Sequence, residues 1–94
     1  PAVTEISLGL PSPNPTSGPA RISFALPRET HVRLSVLDIQ GREVAVLTSG
    51  TYPSGRHVVA WNGHADRALI ANGVYFVRLS TPSKDMVKRL MMSR

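Results

Sequence analysis

Apolar residues recur at every second position through most of this chain, and Gly, Pro, Asn or Asp interrupts them about every ten residues. In residues 20–26, for example, Ile22, Phe24 and Leu26 alternate with small or polar residues. Successive side chains of a β-strand point to opposite faces, so this period predicts strands with one buried face. The period of 3.6 residues that marks an amphipathic helix is not evident, which excludes a helical core.

The turn signals divide the chain into about seven short antiparallel strands, which predicts an all-β, immunoglobulin-like β-sandwich. Residues 74–79 are apolar on both faces except at Arg78, the pattern of a central strand covered on both sides. The predicted strands are residues 4–8, 20–26, 32–37, 42–47, 57–61, 74–79 and 86–92. The side chains expected between the two sheets are Ile22, Phe24, Val32, Leu34, Val36, Val59, Trp61, Tyr75, Val77 and Leu79.

Two turns have a specific chemical signature. Asp38-Ile39-Gln40-Gly41 fits a type I turn, in which the Asp38 carboxylate accepts hydrogen bonds from the turn amides. Gly41 is expected to supply the positive φ of the bulge that follows such a turn. Asn72-Gly73 is a second strong turn signal, directly before the strand that contains Tyr75.

Length and charge are those of one small domain covering residues 1–94, with a Pro-rich N-terminal segment, residues 1–19, that holds five of the eight prolines. The net charge is +5, but most basic residues are dispersed, so no nucleic-acid partner is expected. No apolar run reaches the ~18–20 residues of a membrane span, so no transmembrane segment is expected. Because the chain begins with Pro1 and has no signal peptide, we expect it to be part of a longer protein.

Catalytic and metal-binding chemistry have little support in the sequence. The histidines His31, His57 and His64 lie on separate segments, and no acidic pair or nucleophile motif accompanies them. The loop after Trp61 contains Asn62 and, up to Ile70, only Asp66 as an ionised ligand, which is sparse for a cation. We therefore expect no enzyme activity, no catalytic or metal-ligating residues and no cofactor.

Several short motifs follow one another in a fixed order along the chain. They are Pro13-Asn14-Pro15-Thr16-Ser17-Gly18, Leu37-Asp38-Ile39-Gln40-Gly41-Arg42-Glu43-Val44, Gly55-Arg56-His57, Trp61-Asn62-Gly63, Asn72-Gly73-Val74-Tyr75-Phe76-Val77-Arg78-Leu79 and Lys88-Arg89-Leu90-Met91-Met92-Ser93-Arg94. In this order they resemble the C-terminal sorting domain (type A) of proteins exported by the type IX secretion system. They also resemble the immunoglobulin-like domain of flagellar hook-capping proteins.

The first resemblance implies an export signal. Such a domain directs the passenger that precedes it across the bacterial outer membrane, and the outer-membrane translocon recognises it. A sortase-like peptidase commonly removes the domain after the protein has passed the periplasm. The cargo is then secreted, or it is joined to lipopolysaccharide at the cell surface. The motif residues that the resemblance singles out are Pro13, Asn14, Pro15, Asp38, Gly41, Trp61, Gly73 and Tyr75.

Other function classes remain open beside the export signal. The chain is alternatively a structural or assembly module, either hook-capping-like or an accessory domain beside a secreted enzyme. A carbohydrate-binding module would need a row of exposed aromatic side chains, but only Tyr52 falls clearly in a loop, and Trp61 is expected in the core.

The last predicted strand is the candidate location of the signal. As a terminal edge strand it would offer unpaired amides and carbonyls that a partner can extend by β-augmentation, with basic side chains setting the register. As an ordinary edge strand, its basic residues would only discourage aggregation. The candidate signal residues are Lys88, Arg89, Leu90, Met91, Met92 and Arg94.

Overall fold

The fold is seen in a computed structural model, which describes residues 3–65 and 68–94. Across these residues the chain is all-β, and none of it forms a helix that could cross a membrane. The strands are β1 (Ser7–Leu8), β2 (Ala20–Leu26), β3 (Thr30–Leu37), β4 (Glu43–Tyr52), β5 (Gly55–Trp61), β6 (His64–Ala65), β7 (Ala68–Leu69), β8 (Gly73–Ser80) and β9 (Asp85–Met92).

Two antiparallel sheets form the sandwich, as the sequence predicts. One sheet has the strand order β1-β2-β5 and the other has the order β4-β3-β8-β9. The remaining strands, β6 and β7, pair antiparallel inside the predicted loop after Trp61. The seven predicted strands are therefore all present, and the immunoglobulin-like fold is confirmed.

The core lies between the two sheets and follows the period-2 pattern. Of the ten predicted core side chains, eight are buried, while Val59 and Tyr75 are half-buried and pack against them. The core also contains five apolar side chains outside the predicted core set, namely Leu8, Leu26, Ile70, Leu90 and Met92. Two of these, Leu90 and Met92, belong to the predicted signal strand.

Two strand boundaries differ from prediction. β4 continues to Tyr52, because after a register shift at Leu34 its pairing with β3 extends as far as Thr30. Tyr52 therefore belongs to a strand rather than a loop, and its ring packs against Phe24 at a centroid distance of 5.3 Å. β1 has only two residues instead of residues 4–8, and Pro11, which has no N–H, interrupts the ladder that follows it.

β8 is central in its sheet but is covered on one face only, which corrects the prediction of a strand buried on both faces. Val77 and Leu79 are buried in the core, whereas Phe76 and Arg78 on the opposite face are partly exposed. No second layer of described residues packs over this outer face, so its apolar residues remain accessible.

The hairpin between β3 and β4 is formed as predicted. The Gly41 amide donates to the Asp38 carbonyl, and the Asp38 amide donates to the Arg42 carbonyl, both at 2.9 Å. Asp38 Oδ1 accepts from the amides of Arg42 and Gln40, and these bonds hold the pKa of Asp38 below its ordinary value. Gly41 has φ = 83°, which confirms the predicted positive φ.

Replacing Gly41 by Val is expected to destabilise the domain by more than about 1 kcal/mol, because a β-branched residue is strained at this φ. Gly50 is the matched control, since it lies in β4, its φ is not in the left-handed region and a Cβ there meets no atom within 4 Å. We expect Gly50→Val to be tolerated in urea unfolding monitored by circular dichroism. Equal midpoints for the two variants would contradict the bulged turn.

Candidate functional site

The Pro-rich segment changes sheets between Ser12 and Thr16. Ser12 exchanges backbone hydrogen bonds of 2.9 and 2.8 Å with Arg21 of the three-stranded sheet. Thr16 instead pairs in parallel with β9: its amide donates to the Met91 carbonyl at 2.9 Å, and its carbonyl accepts from the Ser93 amide at 2.8 Å. The peptide bonds before Pro13 and Pro15 are both cis. The segment therefore joins the edges of the two sheets.

Asn14 pairs with β9 through its side chain. Its Nδ2 donates to the Arg89 carbonyl and its Oδ1 accepts from the Met91 amide, both at 2.9 Å. Because the flanking residues Pro13 and Pro15 have no N–H, they cannot supply the donor to the Arg89 carbonyl from the backbone. The Asn14 amide thus takes the place of a strand residue, which the sequence alone did not reveal.

The expectation of a free terminal edge strand is wrong for the end of β9. Ladder bonds alternate along a strand, so Arg89, Met91 and Ser93 direct their backbone groups away from β8. Asn14 is hydrogen-bonded to the Arg89 carbonyl and the Met91 amide. Thr16 is hydrogen-bonded to the Met91 carbonyl and the Ser93 amide. Only the first half of β9, around Val87, keeps an edge on which no other described residue is hydrogen-bonded.

Two glycines of different motifs meet beside this junction. Gly63 has φ = 83°, and a Cβ placed on it would lie 2.8 Å from the backbone of Gly18. Thr16, which is buried, closes the same turn, because its Oγ1 donates to the Pro19 carbonyl at 2.7 Å and accepts from the Gly18 amide at 3.1 Å. Only glycine permits this close approach of the two loops.

Trp61 anchors the second of these loops. The indole is 5% exposed, which confirms its place in the core, and its Nε1 donates to the His64 carbonyl at 3.0 Å. Asn62 Oδ1 accepts from the His64 amide at 2.9 Å, so this side chain supports the loop. The described residues contain no cluster of three or more metal-ligating side chains. Asp66, which entered the metal prediction, lies outside the described residues.

Arg94 is hydrogen-bonded to the loop that follows Trp61 and to the turn before β8. Its guanidinium donates to the carbonyl of Ile70 and, at 3.2 Å, to that of Gly63. Its amide donates to Asn72 Oδ1 at 3.0 Å. We expected Arg94 to be part of a signal offered to a partner, but here its donors are engaged inside the domain.

The Asn72-Gly73 motif also has a structural role, because Gly73 has φ = 146° at the start of β8. Two residues later, the Tyr75 hydroxyl donates to the Ala71 carbonyl at 2.8 Å. A tyrosine that bonds back to the chain just before its own strand is the tyrosine corner of immunoglobulin-like domains. The motif therefore fixes how the chain enters β8.

The six candidate signal residues do not form one surface. Leu90 and Met92 are 0% and 1% exposed and belong to the core. Lys88 has the same strand phase as these two, whereas Arg89 and Met91 lie on the outer face of the sheet. A contiguous tail is thus not available to a partner while β9 is folded.

The outer face of the four-stranded sheet brings apolar and basic side chains together. In the β8–β9 register, Phe76 lies opposite Arg89, Arg78 opposite Val87, and Val74 opposite Met91. We call the five residues Phe76, Arg78, Val87, Arg89 and Met91 the β8–β9 face. Val87 is 50% exposed at its margin.

An ionic network fixes one side of the β8–β9 face. Glu43 accepts hydrogen bonds of 2.6 and 3.1 Å from Arg33 and lies 3.6 Å from Arg78. Hydrogen bonding to Arg33 lowers the pKa of Glu43, with a smaller contribution from the charge of Arg78. This arrangement restrains Arg78 while leaving Arg89 without an ion-pair partner among the described residues.

Comparison with known proteins identifies one related family. The sequence model of the FlgD Ig-like domain matches residues 12–85, from the Pro-rich segment to the start of β9. No curated protein matches the chain. The match includes the motifs between Pro13 and Leu79 and the first residue of the last strand, but not the tail motif of residues 88–94.

Proposed function

Because the chain belongs to the FlgD Ig-like domain family, we propose that it is a non-catalytic module that presents a folded surface to another protein during assembly. The motif side chains Asn14, Trp61 and Tyr75 form internal contacts. They support the sandwich, so the residues that meet a partner are to be sought elsewhere. The observation on which the proposal depends is the β8–β9 face, where basic and apolar side chains lie uncovered.

The composition of this face suits protein recognition. Aromatic, Met and Arg side chains are enriched in protein interfaces, and Phe76, Met91 and two arginines occur here on two adjacent strands. The Glu43 contact restrains Arg78 before binding, which reduces the entropy lost on association. The charge of Arg89 favours a partner with acidic groups and accelerates its approach.

A second candidate function is the type IX export signal. It is favoured by Arg89 and Met91, which belong to the tail that resembles the final strand of sorting domains and lie together on the β8–β9 face. In this candidate the outer-membrane translocon recognises the face of the folded domain, and a sortase-like peptidase then removes the domain from its passenger. The passenger would be secreted or held at the cell surface after passing the periplasm.

Site-specific photo-crosslinking tests both candidates in one experiment. A photoreactive amino acid replaces Val87, which lies at the margin of the β8–β9 face, in the full-length protein in its native cells, and the control replaces Lys88, whose side chain points to the other face. We expect a crosslinked partner from position 87 and less from position 88. A translocon component supports export, and a subunit of a cell-surface or flagellar assembly supports the assembly role. No product at position 87, or equal products at both, would contradict docking by this face.

Export itself is measured with residues 1–94 fused to a reporter in a bacterium that has a working type IX system. The sorting candidate predicts that the intact fusion reaches the medium or cell surface. Arg89→Glu should retain the reporter in the periplasm, whereas Lys88→Glu should not. Periplasmic retention of the intact fusion rules out sorting, while leaving the assembly role in place.

A further inference from the structure

β5 is an edge strand whose outer side no described residue covers. On β2, Arg21 and Ser23 direct their backbone groups towards the N-terminal segment, through bonds to Ser12 and Gly9. Their partners in the β2–β5 register are Ala60 and Val58. Because ladder bonds alternate, these two residues and Arg56 direct their N–H and C=O groups away from β2, towards the open edge.

Of the usual protections against pairing, this edge carries only the charge of Arg56. β5 has seven residues in regular register with β2, without a bulge, a proline or a lysine. Val58 stands in its middle and is 65% exposed. The end of β9, by contrast, is covered by Asn14 and Thr16. The edge of the four-stranded sheet is therefore closed at the end of β9, whereas the edge of the three-stranded sheet at β5 is open.

The surroundings of this edge are basic. Arg56 and Arg21 are exposed on the same outer face as Val58, and neither forms an ion pair with another described residue. β2 and β5 contain no acidic residue. At the Trp61 end, a groove of about 400 Å³ separates β5 from β4, and Val46, Leu47 and Ala60 are among the residues that line it. There is thus space for an added strand beside Ala60.

We propose that β5 is a β-augmentation site for an extended acidic segment of another protein. The backbone of that segment would bond to Arg56, Val58 and Ala60, and one apolar side chain would cover Val58. In the same segment, the residues two positions before and after that apolar residue point to the same face. Carboxylates at these two positions therefore reach Arg56 and Arg21. A second copy of this chain is disfavoured as the occupant, because each copy carries a net charge of +5.

This site lies on the sheet opposite the β8–β9 face and does not depend on the proposed function. The probes are three synthetic peptides: Thr-Glu-Thr-Val-Thr-Glu-Thr, the same sequence with Lys in place of Glu, and the Glu peptide with alternate backbone amides methylated. Binding is followed by amide NMR shifts and hydrogen exchange of residues 55–61. We expect the Glu peptide alone to bind and to protect the amides of Arg56, Val58 and Ala60.

Two variants separate backbone pairing from charge. Val58→Pro removes an amide that points outwards, so the β2–β5 ladder should survive, and Val58→Thr is its matched control. Arg56→Glu should weaken binding of the Glu peptide by at least about tenfold through like-charge repulsion. Melting curves confirm that each variant folds.

Three results would overturn the proposal. They are equal binding of the Glu and Lys peptides, unchanged binding to Val58→Pro, and peptide-induced shifts that avoid β5. If the same amides became protected at high protein concentration without any peptide, the occupant would be a second copy of this chain. That result would also overturn the proposal of an acidic segment.

Discussion

Deleting residues 90–94 is expected to unfold the domain. The deletion removes the buried side chains of Leu90 and Met92, and truncating such a side chain costs ~2–5 kcal/mol each. It also removes the Met91 amide that bonds to Asn14, both partners of Thr16 and the Arg94 contacts with the loops. The combined loss is comparable with the ~5–15 kcal/mol that stabilises a whole domain. Circular dichroism should show no cooperative melting.

The control for this deletion is the double variant Lys88→Ala with Arg89→Ala, which changes the charge of the tail but leaves its core residues in place. It should melt within a few degrees of the unmodified domain, because neither side chain is buried. If the truncated domain melted like the intact one, β9 would be a dispensable edge strand. Since we expect unfolding, loss of export after truncation would not locate a signal, and single substitutions at outward positions are needed.

Trp61→Ala is expected to destabilise the domain by about 3–5 kcal/mol, because it empties a large site between the sheets. It also leaves the His64 carbonyl without its indole donor, and it removes the anchor of the loop that contacts Gly18. The measurement is urea unfolding monitored by circular dichroism. The N-terminal segment should also become more susceptible to proteolysis.

Trp61→Phe is the matched variant, since it keeps most of the apolar contact and loses the Nε1 hydrogen bond, which contributes about 1 kcal/mol. Its unfolding midpoint should fall between those of the unmodified domain and Trp61→Ala. An unchanged midpoint for Trp61→Ala would show that the indole is not a core anchor, and an exposed sugar-stacking role would again be open.

The sequence predicts those parts of the fold that depend on local rules. Alternation at Ile22 and Phe24 depends only on the geometry of a strand, and both are buried as expected. The turn at Asp38 and Gly41 depends on side-chain bonds within five residues, and it is also formed as expected. Neither prediction required knowing what lies opposite in space.

The junction of the two termini could not be predicted in this way. Asn14 bonds to β9 residues 75 and 77 positions away, and Arg94 bonds to Gly63 across 31 positions. No local pattern marks such partners, because their proximity depends on how the two sheets close. The burial of Leu90 and Met92, however, was accessible from the alternation within β9. The prediction of a signal at Lys88-Arg89 instead treated this basic pair as one surface, although successive strand residues point to opposite faces.

The central claim is that the Pro-rich segment and the last strand form one closed unit, so that a partner meets a folded surface rather than a free tail. Amide hydrogen exchange in the intact domain tests it most directly. We expect the amides of Met91 and Ser93 to be protected by Asn14 and Thr16, while the Val87 amide, which also points away from β8, exchanges much faster. Exchange of Met91 and Ser93 as fast as that of Val87 would show that the end of β9 is an open edge.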